Sequence, residues 1–383
     1  MFYAIFRWKV NFISFLKGIM IIFPMQLLEY FYDRNNEINN YQPRKFNISD
    51  RPKIFIYGSP ASGKTSLVLD YLMNFDNEEV LYIDFQDPKF AFLDIMEEDV
   101  QSFVEAHEIN YLVLDHYAHE YFEILPKVKQ LIIISSTDYD YGEDFEKLNL
   151  PLLDYEEFFA FQKRGTEKQI FNQFLRQGTL PQLAIESSPK EQLFLNFLRS
   201  HFSPSEQKLL TVLAYFNGAT VSTFQLYTHA KERYKISKDL IYKQIKSLEE
   251  RNIISFIYDI ENPKQKKLLF FDFALAKYLS FSQNFPKQFE TMVALSLVKH
   301  NVPFNTFGLN SYITNEKNLI LPAPFETEER FWKKAHHKFS IYKRQKITKV
   351  SIVTVASNFE FSIENIVFEA LPFYEWVVIN DEA

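Results

Sequence analysis

The sequence predicts an α/β protein that is built on a parallel sheet and extended by further helical and mixed modules. Two observations support this prediction. Between residues 35 and 150, short apolar runs alternate with helical stretches, which is typical of parallel strands connected by helices. The chain also has 383 residues, of which 47% are hydrophobic, so it can form two or three domains with sizeable cores.

Charge and cysteine content exclude several classes of function. The 42 basic and 49 acidic residues give a net charge of −7, so the molecule as a whole has no polyanion-binding character. The chain has no Cys, which excludes disulfides, thiolate nucleophiles and Cys-based metal sites. We therefore expect a cytoplasmic protein in which any nucleic-acid site is local.

Residues 1–34 form an apolar N-terminal segment. The run from Val10 to Leu28 superficially resembles a signal sequence or a membrane helix, but polar residues interrupt it. Three interpretations stay open. The true start could be Met20 or Met25, which we favour, and the alternatives are an interfacial amphipathic anchor and a membrane span. A membrane is the least expected of the partners.

Four strands are predicted in the first domain, residues 35–150. Each is a short apolar run bounded by polar or turn residues, as the interior of a sheet requires. The predicted strands are Lys53–Tyr57, Val80–Phe85, Tyr111–Asp115 and Gln130–Ser135. Residues 151–202 follow as a helical lid or linker, because apolar residues such as Phe171, Phe174 and Leu175 recur there at helical spacing.

Residues 203–272 predict a winged helix-turn-helix. Ser203, Pro204 and Glu206 resemble a helix N-terminal signal, and three helical segments are followed by two strands and a Pro-containing turn. These elements are Glu206–Tyr215, Val221–His229, Lys238–Glu250, Ile253–Tyr258 and Lys267–Phe271. The last region, residues 273–383, opens with a predicted helix, Lys287–His300, and continues as strand-like and aromatic segments.

The segment GSPASGKT, from Gly58 to Thr65, matches the phosphate-binding pattern G-x-x-x-x-G-K-[ST]. An apolar strand precedes it and a helical stretch follows, which is the context that the pattern requires. Its glycines allow backbone N–H groups to surround phosphates at a helix N-terminus. Lys64 then reaches the β- and γ-phosphates, and the Thr65 hydroxyl ligates magnesium. The sequence thus predicts a P-loop that binds ATP with Mg²⁺.

A P-loop works with an acidic residue at the end of a buried strand, which holds the magnesium ion. Asp115 ends the run YLVLD and is preferred over Asp84, whose strand directly follows the first helix and better suits the next strand of the sheet. The following residue is His116, where many such ATPases have a glutamate that orients water. An imidazole is a poor substitute for that base. Hydrolysis is therefore expected to be slow, or to depend on another acid such as Glu120.

The predicted site combines these residues. Lys64 and Asp115 are the catalytic candidates, and Thr65 and Asp115 are the magnesium ligands. The nucleotide-binding residues are Gly58, Ser59, Pro60, Ala61, Ser62, Gly63, Lys64, Thr65, Ser66 and Asp115. Ser135 and Ser136, at the end of the next strand, either contact the γ-phosphate or the water, or only cap the strand end.

The chain resembles AAA-type P-loop ATPases of bacteria and archaea that carry a winged helix and a C-terminal domain related to the restriction-endonuclease fold. The resemblance covers nearly everything from Met25 onward. It rests on GSPASGKT and on the order of LYIDFQDP, LVLD, LIIISS, LPLLDYEEF and FNQFLRQGTLP. The family implies ATP binding and a lid whose G-x-x-P element, Gly178–Pro181, approaches the nucleotide. It usually has Asp-Glu where this chain has Asp115-His116, so ATPase activity does not simply carry over.

The related nuclease fold holds a metal ion with a helical Glu, an Asp and a Glu-x-Lys. Glu290 matches the first of these, but residues 273–380 contain neither Asp nor Glu-x-Lys. We therefore expect no nuclease activity. The domain is expected to be degenerate, with a structural or protein-binding role, and Glu290 to be an ordinary, partly exposed helix residue.

A local excess of positive charge makes double-stranded DNA a candidate partner. Between Lys231 and Lys267 the sequence has 10 basic and 6 acidic residues. Phosphate contacts would come from Lys238, Lys243, Lys246, Lys264, Lys266 and Lys267. Solvated surface lysines and a protein-docking role are the alternatives. The pairs His116/His119 and His336/His337 are interpreted as surface or packing residues.

These patterns together predict an ATP-binding protein of AAA type that acts as a nucleotide-dependent switch, whose hydrolysis would be slow. Closure of the lid around Gly178–Pro181 would transmit nucleotide occupancy to the winged helix. The alternative is a DNA-binding regulator or a protein scaffold in which the nucleotide is only a structural ligand.

Overall fold

The computed structural model describes residues 24–34, 36, 38, 41–91, 95–186, 190–280 and 284–381. These residues form two compact units. The first contains the described residues up to Gly58 together with Gly63–Leu150, and the second contains Ser59–Ser62 and the described residues from Pro151 onward. The interpretations of the N-terminal segment before residue 24 lie outside the described residues.

A five-stranded sheet forms the centre of the first unit. Its strands are β1 (Lys53–Tyr57), β2 (Val80–Asp84), β3 (Tyr111–Asp115), β4 (Gln130–Ser135) and β5 (Glu146–Asn149). The spatial order is β2-β3-β4-β1-β5, and all neighbouring pairs are parallel. The predicted α/β fold with a parallel sheet is thus confirmed. Because every strand runs in the same direction, the carboxyl ends of all five lie at one edge.

Helices cover both faces of this sheet, because alternate strand residues point to opposite sides and both sets are apolar. On one face, Phe55 packs in a core with α1 (residues 24–32) and α3 (Glu97–Ala106). On the other face, Ile56 packs with α2 (Lys64–Leu72). Two short 3₁₀ turns, Asn77–Glu79 and Pro88–Ala91, flank β2.

The C-terminal end of the apolar N-terminal run is part of a protein core. Leu27, Leu28 and Phe31 of α1 are buried in the same cluster as the strands of the sheet. Among the described residues, no helix is both long and apolar enough to cross a bilayer.

The edge strand β5 was not predicted from the sequence. This strand has four residues, and Glu146, Lys147 and Asn149 are exposed, while Leu148 packs only partly against the core. An edge strand pairs on one side only, so its apolar pattern is weak. Its backbone pairing with β1 identifies it in the structure.

The second unit begins with helices throughout the region predicted as a lid. They are α4 (Tyr155–Phe161), α5 (Glu167–Gln177), α6 (Pro181–Ile185) and α7 (Lys190–His201). Their buried faces belong to one large hydrophobic core that also contains the following helices. The amphipathic spacing of Phe171, Phe174 and Leu175 therefore reflects packing in this core.

Three helices, a hairpin and a further helix follow. They are α8 (Pro204–Tyr215), α9 (Thr223–Arg233), α10 (Lys238–Glu250), β6 (Ile254–Tyr258), β7 (Lys266–Phe270) and α11 (Phe273–Ser280). The predicted start of the first helix is confirmed, since Ser203 caps α8 in a capping box with Glu206 and Pro204 occupies the first turn. The elements appear in the predicted order, and their assignment to a winged helix stays a prediction.

A mixed six-stranded sheet forms the C-terminal part of the second unit. Its strands are β8 (Phe304–Thr306), β9 (Tyr312–Thr314), β10 (Asn318–Pro322), β11 (Lys349–Thr354), β12 (Phe359–Ile363) and β13 (Ile366–Pro372). They lie in the order β12-β13-β11-β10-β9-β8, with β10, β11 and β13 parallel and the other pairs antiparallel. The accompanying helices are α12 (Phe285–Lys299), α13 (Glu328–Arg344) and α14 (Phe373–Asp381). α13 packs against the sheet through Phe331 and Ala335.

Two predictions about charged residues in this unit are wrong. Glu290 is 5% exposed, and its carboxylate pairs with the ammonium group of Lys267, which is 1% exposed. The Tyr312 hydroxyl also donates to Glu290 at 3.1 Å. Glu290 is therefore not a partly exposed helix residue, and Lys267 is not available for DNA phosphates. Buried charges of this kind persist in a low-dielectric interior only when they are paired.

Candidate functional site

A turn at Gly58 leads from β1 into the loop before α2, at the edge of the sheet where the parallel strands end. Gly58 has a φ angle of 150°, and a Cβ at this position would lie 2.2 Å from the Leu150 carbonyl oxygen. Only glycine fits both the conformation and the close approach. The Leu150 N–H donates to the Tyr57 carbonyl at 2.8 Å, which holds the chain after β5 against the beginning of the loop.

Gly63 stands at the N-cap of α2 in a left-handed conformation, with φ 94° and ψ 17°. It has no side chain that could cap the helix, so the N–H groups of the first turn and the helix dipole favour an anion there. A guanidinium nitrogen of Arg44 lies 3.6 Å from where a Gly63 Cβ would be. Arg44 was not predicted from the sequence, because the polar segment before β1 carries no recognisable motif.

Lys64, the first residue of α2, is 7% exposed, and its Nζ donates to the Gly58 carbonyl at 2.9 Å. The side chain is thus folded back along the loop. Burial lowers the pKa of Lys64 to about 8, although the Asp115 carboxylate acts in the opposite direction. A phosphate beside this ammonium group would favour its charged form. The position suits an anion-binding lysine.

Thr65 and Asp115 meet although 50 residues separate them in the sequence. The Thr65 hydroxyl donates to Asp115 Oδ2 at 2.7 Å, and Asp115 is fully buried at the end of β3. Hydroxyl and carboxylate oxygens are the ligands that Mg²⁺ prefers, so these two residues fit the ion. Among the described residues, no group of three or more His, Asp or Glu side chains is arranged so that it could hold a metal ion by itself. A site with two protein ligands that is completed by phosphate oxygens agrees with the usual coordination of Mg²⁺.

Two further donors stabilise the Asp115 carboxylate. The Tyr82 hydroxyl donates to Oδ2, and the backbone N–H of His116 donates to Oδ1 at 2.7 Å. Burial, together with the Asp115 charge, raises the pKa of Tyr82 well above its ordinary value, so the hydroxyl stays protonated and remains a donor. The contact of Tyr82 was not predicted from the sequence, because only the pairing of β2 with β3 brings it to Asp115.

Asp84 pairs with the imidazole that follows Asp115. It lies opposite Asp115 in the sheet register, and its Oδ1 is 2.8 Å from His116 Nδ1. Burial alone would raise the pKa of Asp84 and lower that of His116. The hydrogen bond between them and the attraction of the nearby opposite charges together outweigh burial, so the pKa of Asp84 is lowered and that of His116 is raised. Asp115 thus contacts Thr65, whereas Asp84 contacts His116.

The other candidates near this edge have local roles. Glu120 is exposed and lies 3.2 Å from His119, whose ring stacks on Tyr139. The Ser135 hydroxyl accepts a hydrogen bond from the Thr137 N–H at 3.3 Å. This contact corresponds to the alternative in which Ser135 only caps the strand end.

Gly178 and Thr179, in the element that the resemblance places near a nucleotide, are anchored within the second unit. The Thr179 N–H and hydroxyl both donate to Asp272 Oδ2, at 2.6 and 2.8 Å. Asp272 is fully buried and also accepts the Leu275 N–H in the first turn of α11. A Cβ on Gly178 would lie 2.3 Å from the Asp272 carboxylate, so glycine is required. No sequence motif indicated Asp272.

No protein-family model matches the chain, and no curated protein matches its sequence. Several solved structures are similar to parts of it. The Walker-type ATPase PABY2304 of Pyrococcus abyssi has a TM-score of 0.40 and 15% identity, over 60% of this chain and 91% of that chain.

Two other similar structures have lower scores. The signal transduction ATPase with numerous domains PH0952 of Pyrococcus horikoshii has a TM-score of 0.26 and 16% identity, over 65% of this chain and 43% of that chain. The Orc1 protein of Aeropyrum pernix in complex with DNA has a TM-score of 0.26 and 11% identity, over 60% and 86%.

Proposed function

We propose that this chain binds ATP with Mg²⁺ through a P-loop formed by Gly58–Thr65, and that it acts as a nucleotide-dependent switch of AAA type. The observation that supports this proposal best is the contact between the Thr65 hydroxyl and Asp115 at 2.7 Å, beside the buried Lys64. It joins the loop motif to a strand-end carboxylate that is remote in sequence.

Each residue of the site has a definite task in this proposal. The N–H groups at the start of α2 bind the phosphates, and Lys64 exchanges its hydrogen bond with the Gly58 carbonyl for a phosphate oxygen. Thr65 and Asp115 hold the magnesium ion. Bound Mg²⁺ supplies the positive charge that neutralises the phosphate oxygens. Arg44, near Gly63, adds a further positive charge at the loop.

We propose that hydrolysis is slow. At the position after Asp115 the side chain is an imidazole that is hydrogen-bonded to Asp84, so a carboxylate base is missing at this position of the sequence. Glu120 is exposed and paired with His119. In a protein of this kind, ATP would stay bound for longer before hydrolysis than it does in a fast ATPase.

The switch itself would act through the second unit. We propose a lid at 151–202, a winged helix at 203–272 and a degenerate nuclease-like domain at 273–383. Asp272 supports a connection among them, since it accepts two hydrogen bonds from Thr179 and lies two residues after the hairpin strand β7. A movement of the Gly178–Pro181 element would therefore reach the hairpin through one buried carboxylate.

Equilibrium binding and single-turnover hydrolysis of Mg–ATP test the proposal. Wild-type protein is compared with Lys64→Ala and with Lys127→Ala, an exposed lysine that serves as a matched control. Loss of one charge-assisted phosphate contact should weaken binding by about tenfold to a hundredfold in Lys64→Ala. The control should bind as the wild type does. Absence of ATP binding in the wild-type protein, or equal binding by both variants, would overturn the proposal.

Double-stranded DNA is the partner in a second candidate function. The lysines Lys238, Lys243 and Lys246 are exposed along α10, whereas Lys267 is buried and takes no part. Each phosphate contact contributes about −0.9 to the slope of log affinity against log salt. The variant in which all three lysines are replaced by Ala should lose nearly three of these contributions, so its affinity should fall less steeply with salt. DNA binding that is steep in salt and changes with ATP would favour the switch, and DNA binding that ignores ATP would favour a regulator with a structural nucleotide.

A further inference from the structure

A cavity of about 530 Å³ opens in the C-terminal part of the second unit, between α13, strand β10 and the loop that connects β8 to β9. Its volume lies in the range of about 300–1,000 Å³ that is typical of small-molecule sites. It is lined by residues of the second unit only, and none of them belongs to the proposed nucleotide site.

The walls of the cavity are largely apolar. Phe307 and Leu309 come from the loop, Leu319 and Leu321 from β10, and Ile341 and Tyr342 from α13, which are all lining residues. Leu309 is 84% exposed and Ile341 is 38% exposed. A ligand that covers this apolar surface removes it from water, so an apolar body would be stabilised here.

The mouth of the cavity is positively charged. Lys338 and Arg344 line it from α13, and both are exposed. In the part of the chain that the structure describes, neither side chain makes a hydrogen bond, an ion pair or a ring contact. The acidic lining residue, Glu261, accepts a hydrogen bond from Gln345 at 2.8 Å. The charge that an entering ligand meets is therefore positive on balance.

The loop that forms one wall is held rigidly. The Phe307 N–H donates to the Ser311 carbonyl at 2.9 Å, and the Ser311 hydroxyl donates back to the Phe307 carbonyl. Lys267, buried in its pair with Glu290, also donates to the Leu309 carbonyl at 2.6 Å. The buried ion pair thus anchors the cavity wall. A wall that is ordered in advance lowers the entropy cost of binding.

We propose that this cavity is a binding site for a small amphipathic anion, with an aromatic or short aliphatic body and one carboxylate, sulfonate or phosphate group. The body occupies the apolar space between Leu319 and Ile341, and the anionic group contacts Arg344 and Lys338. Because Lys267 and Glu261 come from the β6–β7 hairpin and its turn, an occupant of the cavity lies directly beside that hairpin.

Fluorescence titration of the full chain with anilinonaphthalene sulfonate tests this site, since the probe is an aromatic anion whose emission rises in apolar surroundings. We expect saturable binding of one probe per chain, unchanged by saturating Mg–ATP and unchanged in the Lys64→Ala variant. Arg344→Ala removes one charge-assisted contact and should weaken binding about tenfold. Ile341→Trp fills the mouth of the cavity and should abolish saturable binding.

Arg330→Ala is the matched control, because Arg330 is an exposed arginine of the same helix that does not line the cavity. Its affinity for the probe should equal that of the wild type. Circular dichroism establishes that each variant is folded, and Lys338→Ala replaces Arg344→Ala if the latter is not folded. Absence of saturable binding, displacement of the probe by Mg–ATP, or equal affinities of Arg344→Ala and Arg330→Ala would each overturn the proposal.

Discussion

Two buried carboxylates, Asp115 in the first unit and Glu290 in the second, meet very different surroundings. Asp115 was predicted from the sequence to bind magnesium, and Glu290 matches the helical, metal-binding Glu of the related nuclease fold. Asp115 receives hydrogen bonds from the Thr65 and Tyr82 hydroxyls and from the backbone of His116. Glu290 instead contacts the ammonium group of Lys267 directly.

The difference lies in the charge of the donors. Hydroxyl and backbone donors orient the Asp115 carboxylate without cancelling its charge, so that a divalent cation can still be held there. A buried ammonium group cancels the charge of Glu290 and removes the electrostatic reason for a metal ion. In the proposed function the buried Asp115 therefore serves as a cation ligand, whereas the buried Glu290 forms a structural ion pair.

The largest effect is expected from breaking the ion pair with Lys267→Met. This change leaves the Glu290 carboxylate buried without a counter-ion and should cost about 3–5 kcal/mol of stability. Urea unfolding, followed by circular dichroism, measures the loss. Lys266→Met is the matched control, because the neighbouring Lys266 is only partly buried.

A double variant sharpens the same point. Lys267→Met combined with Glu290→Leu removes both charges and should recover most of the lost stability, since apolar replacements of buried pairs are often neutral. If the double variant were as unstable as the single one, lost packing of the lysine stem would explain the effect, and charge compensation would not.

At the other carboxylate, Asp115→Asn should weaken the Mg²⁺-dependent part of ATP binding by about 2 kcal/mol, or roughly thirtyfold. The amide keeps the shape of the side chain but loses the charge that holds the ion. Isothermal titration with Mg–ATP and with ATP plus EDTA measures this part. Asp84→Asn is the control and should change it much less. Equal magnesium dependence in Asp115→Asn and wild type would contradict the assignment of Asp115.

A smaller effect is expected when one neutral donor is removed. Tyr82→Phe takes a hydroxyl away from the buried Asp115 and should cost about 1.5 kcal/mol in thermal or urea unfolding. Magnesium-dependent ATP binding should persist, because the carboxylate keeps its charge. A loss of magnesium dependence as large as that of Asp115→Asn would mean that Tyr82 itself is needed to position the ion.

Glu206, a third carboxylate, is partly exposed and gives the smallest effect. Burial would raise its pKa, but hydrogen bonds from Ser203 and the Arg251 guanidinium lower it overall. A carboxyl group with a lowered folded-state pKa stabilises the fold above its ordinary pKa, and this contribution is lost as pH falls through the folded-state value. Glu206→Gln should therefore cost about 1 kcal/mol at neutral pH, as loss of a capping interaction does, and nothing in strong acid. Unfolding curves that differ equally at both pH values would contradict this explanation.

Much of the first unit could be predicted from local sequence. The strands Lys53–Tyr57, Tyr111–Asp115 and Gln130–Ser135 have the predicted bounds, because buried parallel strands are continuous apolar runs. The edge strand β5 lacks such a run and was missed. Arg44 and Asp272 were missed as well, because their contacts join segments that no motif connects.

By itself, the sequence determined what depends on neighbouring residues: the apolar strands, the glycines that permit the Gly58–Thr65 loop, and the helix start at Ser203. The partners of the buried charges were decided by the tertiary structure. Thr65 and Asp115 are 50 residues apart, and Lys267 and Glu290 are 23 apart. Sheet register and helix packing bring these groups together. In the low dielectric of the interior, an unpaired charge would be strongly destabilising, so each buried charge is paired.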